Sequence, residues 1–153
     1  MLTLGQIAPD FTLPCDGGSF VTLSAQKPAP VVLFFYGKDG TPSCTNEMME
    51  FNALVSKFTE AGAKIIGLSK DKVAAHDKFK AKMGIGYVLA SDHGGHLMEE
   101  WGAFGQKLFF GRQVLGVLRS TVLIDGAGRI IQWWKVDRVK GHAAAVLAAV
   151  QAR

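Results

Sequence analysis

Cysteine is scarce in this chain: its 153 residues hold two, Cys15 and Cys44, far apart in sequence. That excludes a disulfide scaffold, a four-thiolate zinc site and a Cys-x-x-Cys dithiol, and the lack of paired thiols disfavours a dithiol disulfide reductase. Long apolar runs are also missing. Nothing approaches the roughly 18 residues of a membrane span, and Met1–Gln6 lacks the basic start and apolar stretch of a signal peptide, so a reducing cytoplasm and no membrane are expected. Runs of one charge are absent too. Lys and Arg number 17 against 13 Asp and Glu, a net +4, but the cations are scattered over Lys57, Lys64, Lys70, Lys78, Arg112, Arg129 and Arg138. Without a basic stripe, nucleic acid is not an expected partner. No repeat, low-complexity stretch or linker appears.

What is present is a chain 48% hydrophobic and 20% charged, which excludes intrinsic disorder and reads as one domain over residues 1–153. A domain of this size buries roughly 70% of its unfolded surface, so its core needs neither disulfide nor metal. Both thiols are free for chemistry.

Phe11–Leu13 and Phe20–Leu23, around a Pro-Cys-Asp-Gly-Gly turn, predict an N-terminal β-hairpin, with Cys15 in the turn. Val31–Tyr36 is continuously apolar, as a central strand covered on both faces is. Phe51, Leu54, Val55 and Phe58 recur at helical spacing, and no breaker follows Pro42 until Gly62, which predicts one long helix. Lys64–Ser69 is a second buried strand and Val73–Met83 a second helix stopped by Gly84. This alternation argues for parallel strands with right-handed crossovers. Tyr87–Ala90 is a short apolar segment, His96–Trp101 one or two helical turns, and Gly102–Gly116 a loop rich in glycine and aromatics. Arg119–Asp125 and Arg129–Lys135 flank Gly126-Ala127-Gly128 as a hairpin, and Ala143–Ala152 is a closing helix. The fold class is α/β, a mixed central sheet flanked by helices.

Chemistry concentrates at Thr41-Pro42-Ser43-Cys44. Thr41 suits an N-cap and Pro42 the first helical residue, so Cys44 falls in the first turn. There, unpartnered N–H groups and the helix dipole stabilise a thiolate, and the Thr41 hydroxyl reaches the same space. The competing reading is a small buried core residue, as free cysteines often are.

Phe35-Tyr36-x-Lys38-Asp39-x-Thr41-Pro42-x-Cys44-Thr45-x-Glu47 resembles the active-site segment of peroxiredoxins, of the Q-type or bacterioferritin comigratory group. The resemblance extends to Ala8–Leu13, Gly67–Asp71, Gly116–Asp125 and Val139–Ala143. It implies a thioredoxin-like fold and a thiol-dependent peroxidase, an antioxidant oxidoreductase without metal or organic cofactor, acting on hydrogen peroxide and organic hydroperoxides. It also implies Cys44 as peroxidatic nucleophile, Thr41 as hydrogen-bonding hydroxyl and Arg119 as active-site guanidinium, with Pro42 supporting. A guanidinium near Cys44 lowers its pKa and can hold the peroxide as charge develops. Glu47, one turn on, is placed to orient that arginine.

Two positions depart from the family pattern. Gly37 stands where a loop proline is usual, leaving the site more mobile and less shielded. Met49 stands where many members carry a resolving cysteine. Resolution then falls to Cys15, to an external thiol (thioredoxin, glutaredoxin or glutathione), or to slow reduction by small thiols. The external thiol is favoured, in a monomer or weak homodimer. A second class of reading is a thioredoxin-fold binding or holdase module whose catalysis has decayed. His93-x-x-His96 lacks ligand partners, His76 and His142 look isolated, and no metal is expected. Phe104, Phe109 and Phe110 read either as satellite core or as lining for organic hydroperoxides. Trp133 and Trp134 point to opposite sheet faces.

Overall fold

The computed structural model describes residues 2–153. The N-terminal hairpin forms as expected from Thr12–Cys15 (β1) and Ser19–Thr22 (β2), joined by a single 3-10 turn over Asp16–Gly18. Val31–Phe35 (β3) is buried along its whole length and is followed by Pro42–Ala53 (α1) and Val55–Glu60 (α2). The single long helix is therefore two. Leu54, with φ −106 and ψ 6, leaves the helical region and its N–H bonds Phe51 O at 3.1 Å, an i→i−3 closure that tightens the last turn. Neither Gly nor Pro marks that break.

Lys64–Ser69 (β4), Val73–Met83 (α3), Val88–Ser91 (β5) and His96–Glu100 (α4) follow, close to expectation, with Gly84 closing α3 at φ 68. The Gly102–Gly116 region is not a loop. Phe104–Phe109 (β6) and Arg112–Val117 (β7) pair as a separate two-stranded hairpin around Phe110-Gly111. Both turn residues have positive φ, 51 and 76, the geometry of a two-residue hairpin turn. Phenylalanine is not a residue that announces that turn, and for that reason the segment reads as a loop in sequence. Ser120–Ile124 (β8), Ile130–Lys135 (β9) and His142–Gln151 (α5) complete the chain.

Seven strands form one mixed sheet in the order β2-β1-β5-β4-β3-β8-β9. β3, β4 and β5 are parallel, and β8 lies antiparallel to β3. Side-chain alternation divides the core between the two faces. Val31, Leu33 and Phe35 join α4's Leu97 and Met98 on one face, while Val32, Phe34 and Tyr36 join α1 and α5 on the other. Trp133 and Trp134 do take opposite faces, both half-buried. No helix among the described residues is long and apolar enough to cross a membrane.

Aromatic contacts fix α1 over the sheet. Phe34 stacks on Phe51 with centroids 4.7 Å apart and 13° between planes, and the Tyr87 hydroxyl donates to Met48 O at 2.7 Å. Each such fully buried side chain contributes about 1.5–3 kcal/mol, and together they set the height of α1's first turn. At the sheet's far end, a Cβ on Gly126 would run into the Pro28 carbonyl. Gly126→Ala should therefore cost about 1–3 kcal/mol through overpacking against backbone, seen as a lower urea midpoint with unchanged m-value.

Candidate active site

The chain leaves β3 at Tyr36 and crosses a short loop, Gly37–Gly40, before Thr41 begins the approach to α1. Four side chains lash this loop down. The Tyr36 hydroxyl donates to Asp39 Oδ1 at 2.6 Å, His76 Nδ1 meets Asp39 Oδ2 at 2.6 Å, and the Asp39 N–H donates to Asp71 Oδ2 at 2.9 Å. Ser69 Oγ donates to that same Asp71 oxygen at 2.6 Å. His76 is fully buried, and its Nε2 lies 3.0 Å from Ala90 O. A ring that meets a carbonyl with one nitrogen and a carboxylate with the other donates at both as imidazolium. Burial pulls the His76 pKa down, but the hydrogen bond and charge of Asp39 outweigh it and hold the pKa above the ordinary value.

Cys44 is the third residue of α1 and only 4% exposed. Arg119, at the junction of β7 and β8, reaches across to it. Its Nη2 donates to Cys44 Sγ at 3.3 Å and to Ser43 Oγ at 3.0 Å, while Nη1 donates to Glu47 Oε1 at 2.7 Å. Burial pushes the Cys44 thiol up, yet the Thr41 hydroxyl, the Lys38 backbone and the Arg119 charge together bring it below its ordinary value. That direction favours the thiolate form of Cys44. Glu47 is 1% exposed, and burial pushes its carboxyl up to about 7 against the pull of Arg119. Its Oε2 has no partner among the described residues.

The structure brings Thr41, Pro42, Cys44, Glu47 and Arg119 together at one helix start. Thr41 occupies the N-cap position with extended φ/ψ, but its side chain does not cap the helix. Its hydroxyl instead donates back to Lys38 O at 2.9 Å, tying the loop beneath the sulfur. Pro42 opens the helix as expected. Gly37 borders the thiol, because a Cβ there would lie 3.7 Å from Cys44 Sγ.

Cys15 is not part of this group, and it is not a turn residue. It ends β1, paired with Ser19 and with Ala90 of β5, and is 6% exposed. It faces the core opposite to Cys44. β5 and β4 lie between β1 and β3, so three strand spacings, roughly 14 Å, separate β1 from the strand that leads to Cys44. A disulfide needs Cα atoms within about 7 Å. Burial, then the neighbouring Asp16 charge, pushes the Cys15 thiol up, which makes it a poor nucleophile.

Sequence reasoning names Asp39 and Asp71 only within the resembling segments and does not reach the contacts that they, Ser43 and His76 make. His76 looked isolated because its partners lie on other elements, and His142 is likewise bonded, its Nε2 2.7 Å from Thr121 Oγ1. His93 and His96 are exposed. The His/Asp group whose donor atoms converge is Asp39, Asp71 and His76, and those atoms are already bonded to one another and to Tyr36 and Ser69.

A buried, depressed-pKa cysteine at a helix start, touched by a guanidinium and set on a mixed sheet flanked by helices, defines a class: the thioredoxin-fold thiol peroxidases. Residues 4–133 match the AhpC/TSA family. The chain is 45% identical to peroxiredoxin Bcp of Xanthomonas campestris pv. campestris, over 94% of this chain and 89% of that one. To peroxiredoxin Bcp of Bacillus subtilis it is 41% identical, over 95% and 93%. Among solved structures, a Xanthomonas campestris bacterioferritin comigratory protein described for alkyl peroxide reduction superposes with TM-score 0.87 at 44% identity, covering 93% of this chain and 90% of that one. A cysteine-to-serine mutant of Xylella fastidiosa PrxQ superposes with TM-score 0.92 at 34% identity, covering 99% and 97%. The chain belongs to the AhpC/TSA family, as a peroxiredoxin of the Q-type or bacterioferritin comigratory group. It is a thiol-dependent peroxidase, and the decayed-module reading is set aside.

The loop anchor has a pH signature. A histidine whose folded pKa is raised above 6.5 adds stability that is full below the unfolded value and lost as pH rises through the folded one. Urea denaturation of the protein should show this loss, and His76→Gln should lack it. Asp39→Ala, which leaves the buried His76 unpaired, should cost about 3–5 kcal/mol in the same assay.

Proposed function

We propose that Cys44 is the peroxidatic nucleophile, with Arg119 and Thr41 as its catalytic partners and with Glu47 and Pro42 in support. The carrying observation is the Arg119 Nη2 contact to Cys44 Sγ at 3.3 Å, with the same guanidinium held by Glu47 at 2.7 Å. The thiolate attacks one peroxide oxygen. An S–O bond forms as the O–O bond breaks, and the departing hydroxide or alkoxide takes up a proton to leave as water or alcohol, with Cys44 as sulfenic acid. Arg119 donates to the peroxide as charge moves onto the leaving oxygen.

The substrates in this reading are hydrogen peroxide and organic hydroperoxides, the latter supported by the alkyl peroxide reduction described for the Xanthomonas campestris protein. The sulfenic acid is recycled by an external thiol, a thioredoxin, glutaredoxin or glutathione. The placement of Cys15 on the opposite sheet face supports that route. Residues 1–153 act as one domain, as a monomer or weak homodimer. Both cysteines are free thiols, which favours the cytoplasm as its compartment.

Cys44→Ser should abolish peroxide-dependent oxidation of a supplied thiol, whereas Cys15→Ser should retain it. Intact mass after one equivalent of peroxide with glutathione should show one glutathione adduct. Loss of two hydrogens that disappears in Cys15→Ser would instead overturn the external route. The second-order rate with peroxide should follow the thiolate, falling as pH drops through a midpoint below 9.0, the ordinary cysteine value. Arg119→Gln should move that midpoint up and slow the alkaline plateau by roughly 100-fold, read by stopped-flow oxidation of Cys44.

A further inference from the structure

The β6–β7 hairpin carries apolar side chains that the fold does not use. Leu108 is 70% exposed, Phe109 57%, Phe110 89% and Leu115 66%. Phe110 is the one non-glycine residue with positive φ, 51, among the described residues. A bulky side chain there bears both backbone strain and full hydration, so folding gives no reason for it. Phe109 and Phe110 meet edge to face with centroids 4.5 Å apart, a ready-made aromatic ledge at the tip.

The charges that this segment itself carries have one sign. From Trp101 to Ile124 the sequence contains no Asp or Glu and three cations, Lys107, Arg112 and Arg119. The hairpin also borders the active site. An open groove of about 560 Å³ runs along it, lined by Lys107, Leu108, Val117, Leu118, Arg119 and Lys135, with Asp137 as its carboxylate. Lys107 is held in that wall by a 3.1 Å bond to Val117 O. Leu108, the neighbour of the ledge in sequence, therefore lines the same groove as the arginine touching Cys44.

We propose that this hairpin is the docking surface for the protein that recycles the enzyme, an acidic dithiol protein whose reactive thiol sits in an apolar surface. The inference rests on the external-thiol reading above and names its partner class. Phe109 and Phe110 bury against the partner's apolar surface, and Lys107 and Arg112 meet its carboxylates, which speeds encounter. The partner's thiolate attacks the Cys44 sulfenic sulfur, the S–S bond of a mixed disulfide forms as the S–O bond breaks, and the departing hydroxide takes up a proton to leave as water. Its second thiol then attacks that disulfide, returning Cys44 as thiolate and leaving the partner oxidised. A small thiol needs no ledge; a protein does.

The test uses the full chain with an acidic thioredoxin and its reductase as one reductant and dithiothreitol or glutathione as the other. Phe110→Ser and the double variant Lys107→Glu/Arg112→Glu should each lower kcat/KM for thioredoxin about tenfold, the loss of roughly one interface contact. Salt should weaken the wild-type rate more than that of the charge-reversed variant. Turnover with dithiothreitol or glutathione, and stopped-flow oxidation of Cys44 by hydrogen peroxide, should not change. Equal thioredoxin kcat/KM in wild type and variants overturns the proposal. So does slowed oxidation by cumene hydroperoxide alone, which would make the hairpin a substrate wall, or binding to phosphatidylglycerol vesicles that the variants lose while thioredoxin turnover is kept. A wild-type enzyme recycled by glutathione but by no dithiol protein overturns it too, while leaving the external-thiol reading intact. Failure with every external thiol would instead sink that reading.

Discussion

A thiolate at Cys44, a residue 4% exposed to solvent, would be tolerable only beside a positive charge that cannot leave, and the charge that touches this sulfur is Arg119. Its guanidinium splits its donors, one nitrogen to Cys44 and Ser43, the other to Glu47. Because Ser43, Cys44 and Glu47 share α1, the arginine reads the rotation and height of that helix directly. A shift of α1 by one residue would remove at least one of its acceptors. The Phe34–Phe51 stack and the Tyr87–Met48 bond are therefore site geometry as much as core packing.

The same charge organises the groups farther out. His142 and His76 are both buried histidines, yet their surroundings drive them in opposite directions. Burial and then the Arg119 charge lower His142 to about 4, so it stays neutral and bonds Thr121 without adding positive charge near the arginine. Around His76 the neighbours are the carboxylates of Asp39 and Asp71, and there a cation is favoured. Near the arginine the neutral imidazole is favoured, and on the loop side the imidazolium is. The loop that presents Lys38 and Thr41 to the sulfur is thus held by the His76–Asp39 pair, which shares no atom with the contacts at the sulfur.

Much of this was legible beforehand for a physical reason: it is local. Continuous burial of Val31–Phe35, helical spacing after Pro42, the Gly84 stop and the Thr41-Pro42-x-Cys44 helix start each depend on neighbours in sequence, and each appears in place. Arg119 and Glu47 were reached by resemblance and by charge logic, and the structure joins them across the sheet. What stayed hidden was non-local or atypical. The Asp39–His76 pair joins a loop to a helix that the sequence treats as separate, and the β6–β7 turn uses phenylalanine where glycine or asparagine is the usual signal. Cys15 was misplaced because Pro-Cys-Asp-Gly-Gly looks like a turn from its first residue, whereas strand pairing with Ser19 and Ala90 continues through the cysteine.

That misplacement bears on recycling through a matter of parity. Strand side chains alternate, so a residue belongs to one face of the sheet and cannot change sides without breaking its ladder. Cys15 faces the core lined by Leu33 and Phe35, while Cys44 lies over Phe34 and Tyr36. Unwinding the first turn of α1 would carry Cys44 outward on its own face and would leave the intervening strands between the two sulfurs. On its own face Cys44 is bordered by Gly37, where a Cβ would stand 3.7 Å from Sγ. At the position of the family's loop proline this glycine leaves the sulfur less shielded, while the hydrogen bonds at Asp39 restrain the same loop.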